Sequence, residues 1–72
     1  MIMNKTMNFT VFCIESYKQA HRLTGKETVD LFSRYNVFEY ITSFYDILHS
    51  NGQEYITGDI DAYINSRKNL VM

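Results

Sequence analysis

The segment from Val37 to Ser50 constrains the fold more than any other part of this chain. Laid out at the ~100° per residue of an α-helix, it separates into two halves. One half holds Val37, Phe38, Tyr40, Ile41, Phe44, Tyr45, Ile47 and Leu48; the other holds Glu39, Thr42, Ser43, Asp46, His49 and Ser50. The apolar arc is therefore roughly 180° wide, against the ~100° stripe that an ordinary surface helix buries. A helix of this kind needs two neighbours, or one neighbour and a partner protein.

The rest of the chain supplies few neighbours. Seventy-two residues make one domain, expected to span 1–72 with 1–7 and 69–72 as loose tails. A chain this short hides only about 60% of the surface its unfolded form exposes, so the core must be thin. Hydrophobic residues at 46% and charged residues at 21% nevertheless belong to a folding chain rather than a disordered one. A net charge of −1 gives no electrostatic preference for nucleic acid or an anionic membrane. The single Cys13 cannot form an intramolecular disulfide, and no apolar run approaches a signal peptide or a membrane span. The expectation is a soluble cytoplasmic protein.

Proline is absent, and the glycines at 25, 52 and 58 fall where helices would begin or end. The pattern predicts an all-α, compact four-helix domain with short connections. A first helix over Asn8–Leu23 turns Phe9, Phe12, Cys13, Ser16, Tyr17, Ala20 and Leu23 inward. Thr24 and Glu27 have capping-box spacing, so a second helix starts at Gly25 and runs to Tyr35, with Val29, Leu31, Phe32 and Tyr35 inward and an Asp30–Arg34 pair outward. Asn36 suits the left-handed turn that leads into the third and central helix, about 37–50. Asn51-Gly52 stops that helix, Gln53 to Ile56 crosses the domain extended, and Thr57 caps a fourth helix from Gly58 to Lys68 with Asp59 and Asp61 in its first turn.

Few residue groups carry recognisable chemistry. Asp46 and His49 are three apart on one helix side, as a metal pair or proton relay would require, but no further ligand has a matching spacing. The simpler reading places both on a polar helix face. His21 reads as a boundary histidine, Cys13 as core packing, and Asp59 with Asp61 as helix-terminus carboxylates rather than a calcium loop. Phosphate-loop, nucleophile-elbow and zinc spacings are missing, so no catalytic, cofactor or metal residue is assigned and an enzyme is not expected. A helix-turn-helix made of the second and third helices is the main alternative, with a small enzyme lacking any signature behind it. Its recognition helix would present Glu39 and Asp46 and no basic residue to phosphates, which disfavours nucleic acid.

Arg67 falls within the apolar stripe of Ile60, Tyr63 and Ile64, either as a rim arginine whose stem covers apolar surface or as an interface arginine. The reading is a non-enzymatic protein-interaction module without a small-molecule substrate, whose partner is another protein or a second copy. Its candidate anchors are Phe38, Tyr40, Tyr45, Tyr63 and Arg67. Phe44, Ile41 and Leu48 occupy the centre of the wide arc and are assigned to packing.

Three strings together carry a resemblance: F-x-V-F-C-I-E-x-Y-K from Phe9 to Lys18, T-G-K-E-x-x-x-L-F-x-x-Y from Thr24 to Tyr35, and F-Y-D-x-L-H-x-x-G-x-E-Y-I-x-x-D-I-D-x-Y-I from Phe44 to Ile64. They resemble a family of short bacterial proteins of unknown function, domain of unknown function three-seven-nine-one, over nearly the whole chain. Asn36 stands where many relatives are expected to carry glycine. The resemblance implies a gene placed beside an ADP-ribosyltransferase-like protein, as in a toxin with its antitoxin or accessory protein. It implies a partner and no catalytic residue.

Overall fold

A computed structural model of the chain describes residues 5–70, with the side chains of 5–68. The described residues are all-α, in five helices rather than four: α1 Lys5–His21, α2 Gly25–Arg34, α3 Val37–Ser43, α4 Tyr45–Leu48 and α5 Gln53–Leu70. Helix therefore takes in residues 5–7 and 69–70, which the sequence reading assigned to the tails; 1–4 and 71–72 lie outside the described residues. The core lies where α1, α2, α3 and α5 meet. It joins Cys13 and Tyr17 of α1, Phe32 of α2, Val37 and Ile41 of α3, and Ile56, Ile60 and Ile64 of α5.

The turns between the first three helices follow the sequence. The Thr24 hydroxyl accepts from the Glu27 N–H at 3.0 Å, and the Glu27 carboxylate accepts from the Thr24 N–H at 2.8 Å. This capping box satisfies two donors that a helix start leaves without partners. Asn36 takes the left-handed conformation, φ 60° and ψ 35°, and reverses the chain between α2 and α3. A second left-handed residue, Arg22 at φ 55°, gave no sequence signal. It closes α1 in a Schellman-type turn, in which the Leu23 N–H donates to the Lys18 carbonyl at 3.0 Å and Leu23 folds back onto the core.

Some faces differ from expectation. Thr28 takes a buried place in α2, its hydroxyl donating to the Thr24 carbonyl at 2.9 Å, while Val29 stays exposed. Asp30 pairs with Lys26 at 3.0 Å rather than with Arg34. Phe12 is likewise exposed.

The central helix is broken, which corrects the expected span of 37–50. Phe44, at φ −113° and ψ 24°, ends α3 and precedes α4. The break divides an arc too wide for the thin core. Val37 and Ile41 stay on the core side of α3, whereas Leu48 is buried separately on α4. Beyond the break, the Ser50 and Asn51 side chains stand in for the helical ladder, and the His49 ring adds to the bond that its own N–H donates to the Tyr45 carbonyl at 2.9 Å. His49 Nδ1, Ser50 Oγ and Asn51 Nδ2 bond the carbonyls of Tyr45, Asp46 and Ile47 at 2.7, 3.0 and 2.8 Å. Because a carbonyl only accepts, His49 carries its proton on Nδ1 there.

The second correction concerns the last helix. Residues 53–56 are helical rather than an extended crossing, and Thr57 and Gly58 lie inside α5. The Gly52 carbonyl accepts the Ile56 N–H at 3.0 Å, so helical bonding starts there. The cause is the spacing of Ile56, Ile60 and Ile64, all buried on one stripe of a single helix. Burying an isoleucine contributes about 1.5–3 kcal/mol, whereas a glycine in a helix interior costs about 1 kcal/mol, so the stripe decides.

Gly58 has a negative φ, and a Cβ built on it meets nothing within 4 Å. Gly58→Ala is therefore expected to stabilise the isolated chain by about 1 kcal/mol, a rise of roughly 4–8 °C in thermal midpoint. Calorimetry of the two proteins checks this, and an unchanged or lowered midpoint would contradict it.

Candidate interaction surface

α5 sits between two tyrosines that reach it from different helices. From α1, the Tyr17 hydroxyl donates to Asp61 Oδ1 at 2.9 Å; His21 Nε2 lies 3.7 Å from the same oxygen, and its ring stacks on Tyr17 at 4.1 Å. From α3, the Tyr40 hydroxyl donates to Asp59 Oδ2. Asp59 and Asp61 are thus not first-turn carboxylates, as the sequence reading had them, because α5 begins earlier and places them near its middle. Two residues apart on a helix, they point to opposite flanks and tie one neighbour on each side. Burial and then the adjacent carboxylate push both tyrosine hydroxyls above their ordinary range.

The Tyr40 bond anchors an aromatic row. The Tyr40 ring stacks on Tyr63 with centroids 4.1 Å apart and planes 16° apart, and on its other side meets Phe44 at 5.0 Å. The Arg67 guanidinium lies 5.6 Å from the centre of the Tyr63 ring, within cation–π range. Tyr40 and Tyr63 are half-buried, whereas Phe44 is 46% exposed and Tyr55, one turn before Asp59, is 53% exposed. The exposed members have no place in the core, and Phe44 rests against the half-buried ring of Tyr40.

Of the five proposed anchors, Tyr40, Tyr63 and Arg67 come together in this row. Phe38 and Tyr45 do not. Phe38 packs edge-on against the core ring of Phe32 at 5.7 Å. Tyr45 belongs to a separate cluster, stacked on His49 at 4.3 Å and edge-on to Phe9 at 5.5 Å. Phe44 was assigned to packing as the centre of an unbroken arc, and that assignment is corrected by the helix break that turns it outward. Ile47, also placed within that arc, is 61% exposed. The signal for Phe44 was present only as excess, since an arc of ~180° cannot all be buried. Tyr55 was hidden by the expectation of an extended segment.

The remaining sequence candidates do not converge on a reactive site. Asp46 is exposed, while His49 is engaged with the Tyr45 carbonyl and ring. Among the described residues, no group of three His, Cys, Asp or Glu is placed to hold a metal ion, and no helix is long and apolar enough to cross a membrane. Cys13 is fully buried, and burial pushes its thiol up to about 12. The helix that would read DNA is reduced to the seven residues of α3. An open groove of about 600 Å³ separates Ser16, Gln19 and Ala20 of α1 from Gln53, Glu54, Thr57 and Gly58 of α5. It contains none of the residues selected from the sequence.

Residues 8–67 match a family described as protein of unknown function (DUF3791). The chain belongs to that family. The matched region takes in the aromatic row through Arg67 as well as every core residue. Neither a curated protein nor a solved structure matches the chain.

The raised hydroxyls of Tyr17 and Tyr40 and the raised Cys13 thiol give a pH dependence of definite sign. Each group holds its proton to higher pH when folded, so the unfolded chain binds fewer protons once pH approaches the ordinary thiol value of 9.0. Their contribution is complete below that pH and is lost progressively above it. Thermal midpoints are expected to be flat with respect to these groups from pH 7 to 8.5 and to fall from about 9 upward, less steeply in Tyr17→Phe. Melting curves across this range, with equal slopes for both proteins, would contradict the assignment.

Proposed function

We propose that this protein is a non-enzymatic interaction module, and that the face built from Tyr40, Phe44, Tyr55, Tyr63 and Arg67 is what it binds with. The observation that carries the reading is the exposure of Phe44 and Tyr55 on either side of a stacked Tyr40–Tyr63–Arg67 row. Tyrosine and arginine dominate binding hot spots because each offers a large contact area together with a polar end. Here the row is already ordered by the Asp59 bond, which lowers the side-chain entropy lost on association.

The resemblance to short bacterial proteins suggests a setting for this activity. An ADP-ribosyltransferase-like protein encoded by the adjacent gene is the first heterologous partner to test, with the module as its antitoxin-like or accessory subunit in the cytoplasm. Self-association through the same face is the alternative within this reading. In either case the chain supplies a shaped surface and the chemistry belongs to the partner.

Phe44→Ser and Tyr55→Ser are expected to weaken the measured association by about tenfold or more each. Both side chains are only about half covered, so folding stability should fall by no more than about 1–2 kcal/mol, and the variants remain folded. Titration calorimetry against the adjacent gene product, alongside dilution calorimetry of the chain alone, measures both kinds of association. Wild-type affinity in both variants, or no association of either kind, would overturn the reading.

A further inference from the structure

The solvent side of α5 differs from that of α2. The exposed positions of α2 include Lys26, Glu27, Asp30 and Arg34, the usual solubilising mixture. On α5 the exposed positions from Tyr55 to Ser66 are Tyr55, Gly58, Ala62, Asn65 and Ser66, with no charge among them. Beside them runs a row at four-residue spacing, Tyr55, Asp59, Tyr63 and Arg67, which alternates ring and charge and ends in opposite characters. Asp59 and Tyr63 are half-buried against α3, while Tyr55 and Arg67 are exposed.

We propose that a second copy of this chain covers this row, the two α5 helices pairing antiparallel about a two-fold axis that crosses the row midway between Asp59 and Tyr63, beside Ala62. The inference rests on the aromatic face being the binding surface and names its occupant. Antiparallel pairing sets Tyr55 opposite Arg67 of the other copy and Asp59 opposite Tyr63. Every contact then joins a ring to a charge, and no like charges meet. Parallel pairing would instead set Asp59 against Asp59 and Arg67 against Arg67, so charge complementarity selects the antiparallel arrangement.

Hydrogen bonding and shape agree with it. Asp59 accepts from Tyr40 through Oδ2, which leaves lone pairs on Oδ1. Within the described residues the Tyr63 hydroxyl makes no hydrogen bond, and it can donate to that carboxylate across the interface. A row at four-residue spacing is a helix ridge, and two such ridges interlock at a crossing of about −50° with axes ~8–10 Å apart. Ala62 and Ser66, small and exposed, border the row and permit that approach.

Sedimentation of the full chain across a concentration series, together with oxidation of single-cysteine variants, tests the arrangement. Ala62→Cys places a thiol next to the two-fold axis. Ser33→Cys places a thiol at another exposed position, on α2, and the buried native Cys13 adds no background. The expected result is a monomer–dimer equilibrium in which Ala62→Cys forms covalent dimer about tenfold faster than Ser33→Cys, and Arg67→Glu moves the equilibrium about tenfold towards monomer. A chain that remains monomeric up to its solubility limit, or equal cross-linking rates at the two positions, would overturn the proposal. If the chain is monomeric but Phe44→Ser weakens binding of the adjacent gene product, the second copy is ruled out and the aromatic face stands. If Ala62→Cys cross-links faster as described while Phe44→Ser changes no association, the α5 pairing stands and Phe44 is removed from the binding face.

Discussion

Everything else in this fold depends on α5 continuing unbroken through Gly58. Only a continuous helix lines up Ile56, Ile60 and Ile64 as one buried stripe against the other helices. Only a continuous helix, too, puts Asp59 and Asp61 on opposite flanks, where one takes the hydroxyl of Tyr40 from α3 and the other that of Tyr17 from α1. A thin core needs such directional ties, because burial alone in a chain of this size leaves little margin over conformational entropy. Each bond contributes modestly to net stability but orients a large ring, and so fixes which aromatic surface is buried and which remains outside.

The second constraint is the excess of apolar surface between Val37 and Leu48. A straight helix would have needed partners across about half its circumference. Breaking at Phe44 sends Val37 and Ile41 to the main core and lets Leu48 be buried separately, while Tyr45 turns towards Phe9. Past the end of α4 the side chains of Ser50 and Asn51 take over, bonding carbonyls four residues back. Phe44, at the break itself, meets the ring of Tyr40 at 5.0 Å and stays 46% exposed. Its exposure is therefore a consequence of how the arc was divided.

Local signals were legible in the sequence where one residue type has one physical use. Thr24 and Glu27 marked a capping box, Asn36 marked a left-handed turn, and Cys13 marked a buried position, each from its immediate neighbours. Errors arose where a local signal competed with a longer-range one. Thr57-Gly58 reads as a helix start, and only the isoleucine spacing across it overrules that reading. Arg22 carries no left-handed preference, so its conformation reflects the need of Leu23 to reach the core rather than any propensity of its own. Phe44 fails for a related reason: no residue there disfavours helix, and the break follows from packing that a helical projection cannot represent. For the surface row, Tyr40, Tyr63 and Arg67 could be chosen by residue type and spacing. Phe44 and Tyr55 depended on the two boundaries that sequence placed wrongly.

The same bond that organises the fold also shapes the exposed face. Without Asp59, the Tyr40 ring would be free to rotate away from Tyr63, and Arg67 would lose the stacked pair beneath it. A flexible set of aromatic side chains would have to be ordered at each encounter, at about 0.5–1.5 kcal/mol per side chain. Held in place, they present to a partner a surface whose ordering was completed when the chain folded. The link between stability and recognition is therefore direct: the carboxylate that ties α3 to α5 is also the one that sets the relief of the surface they share.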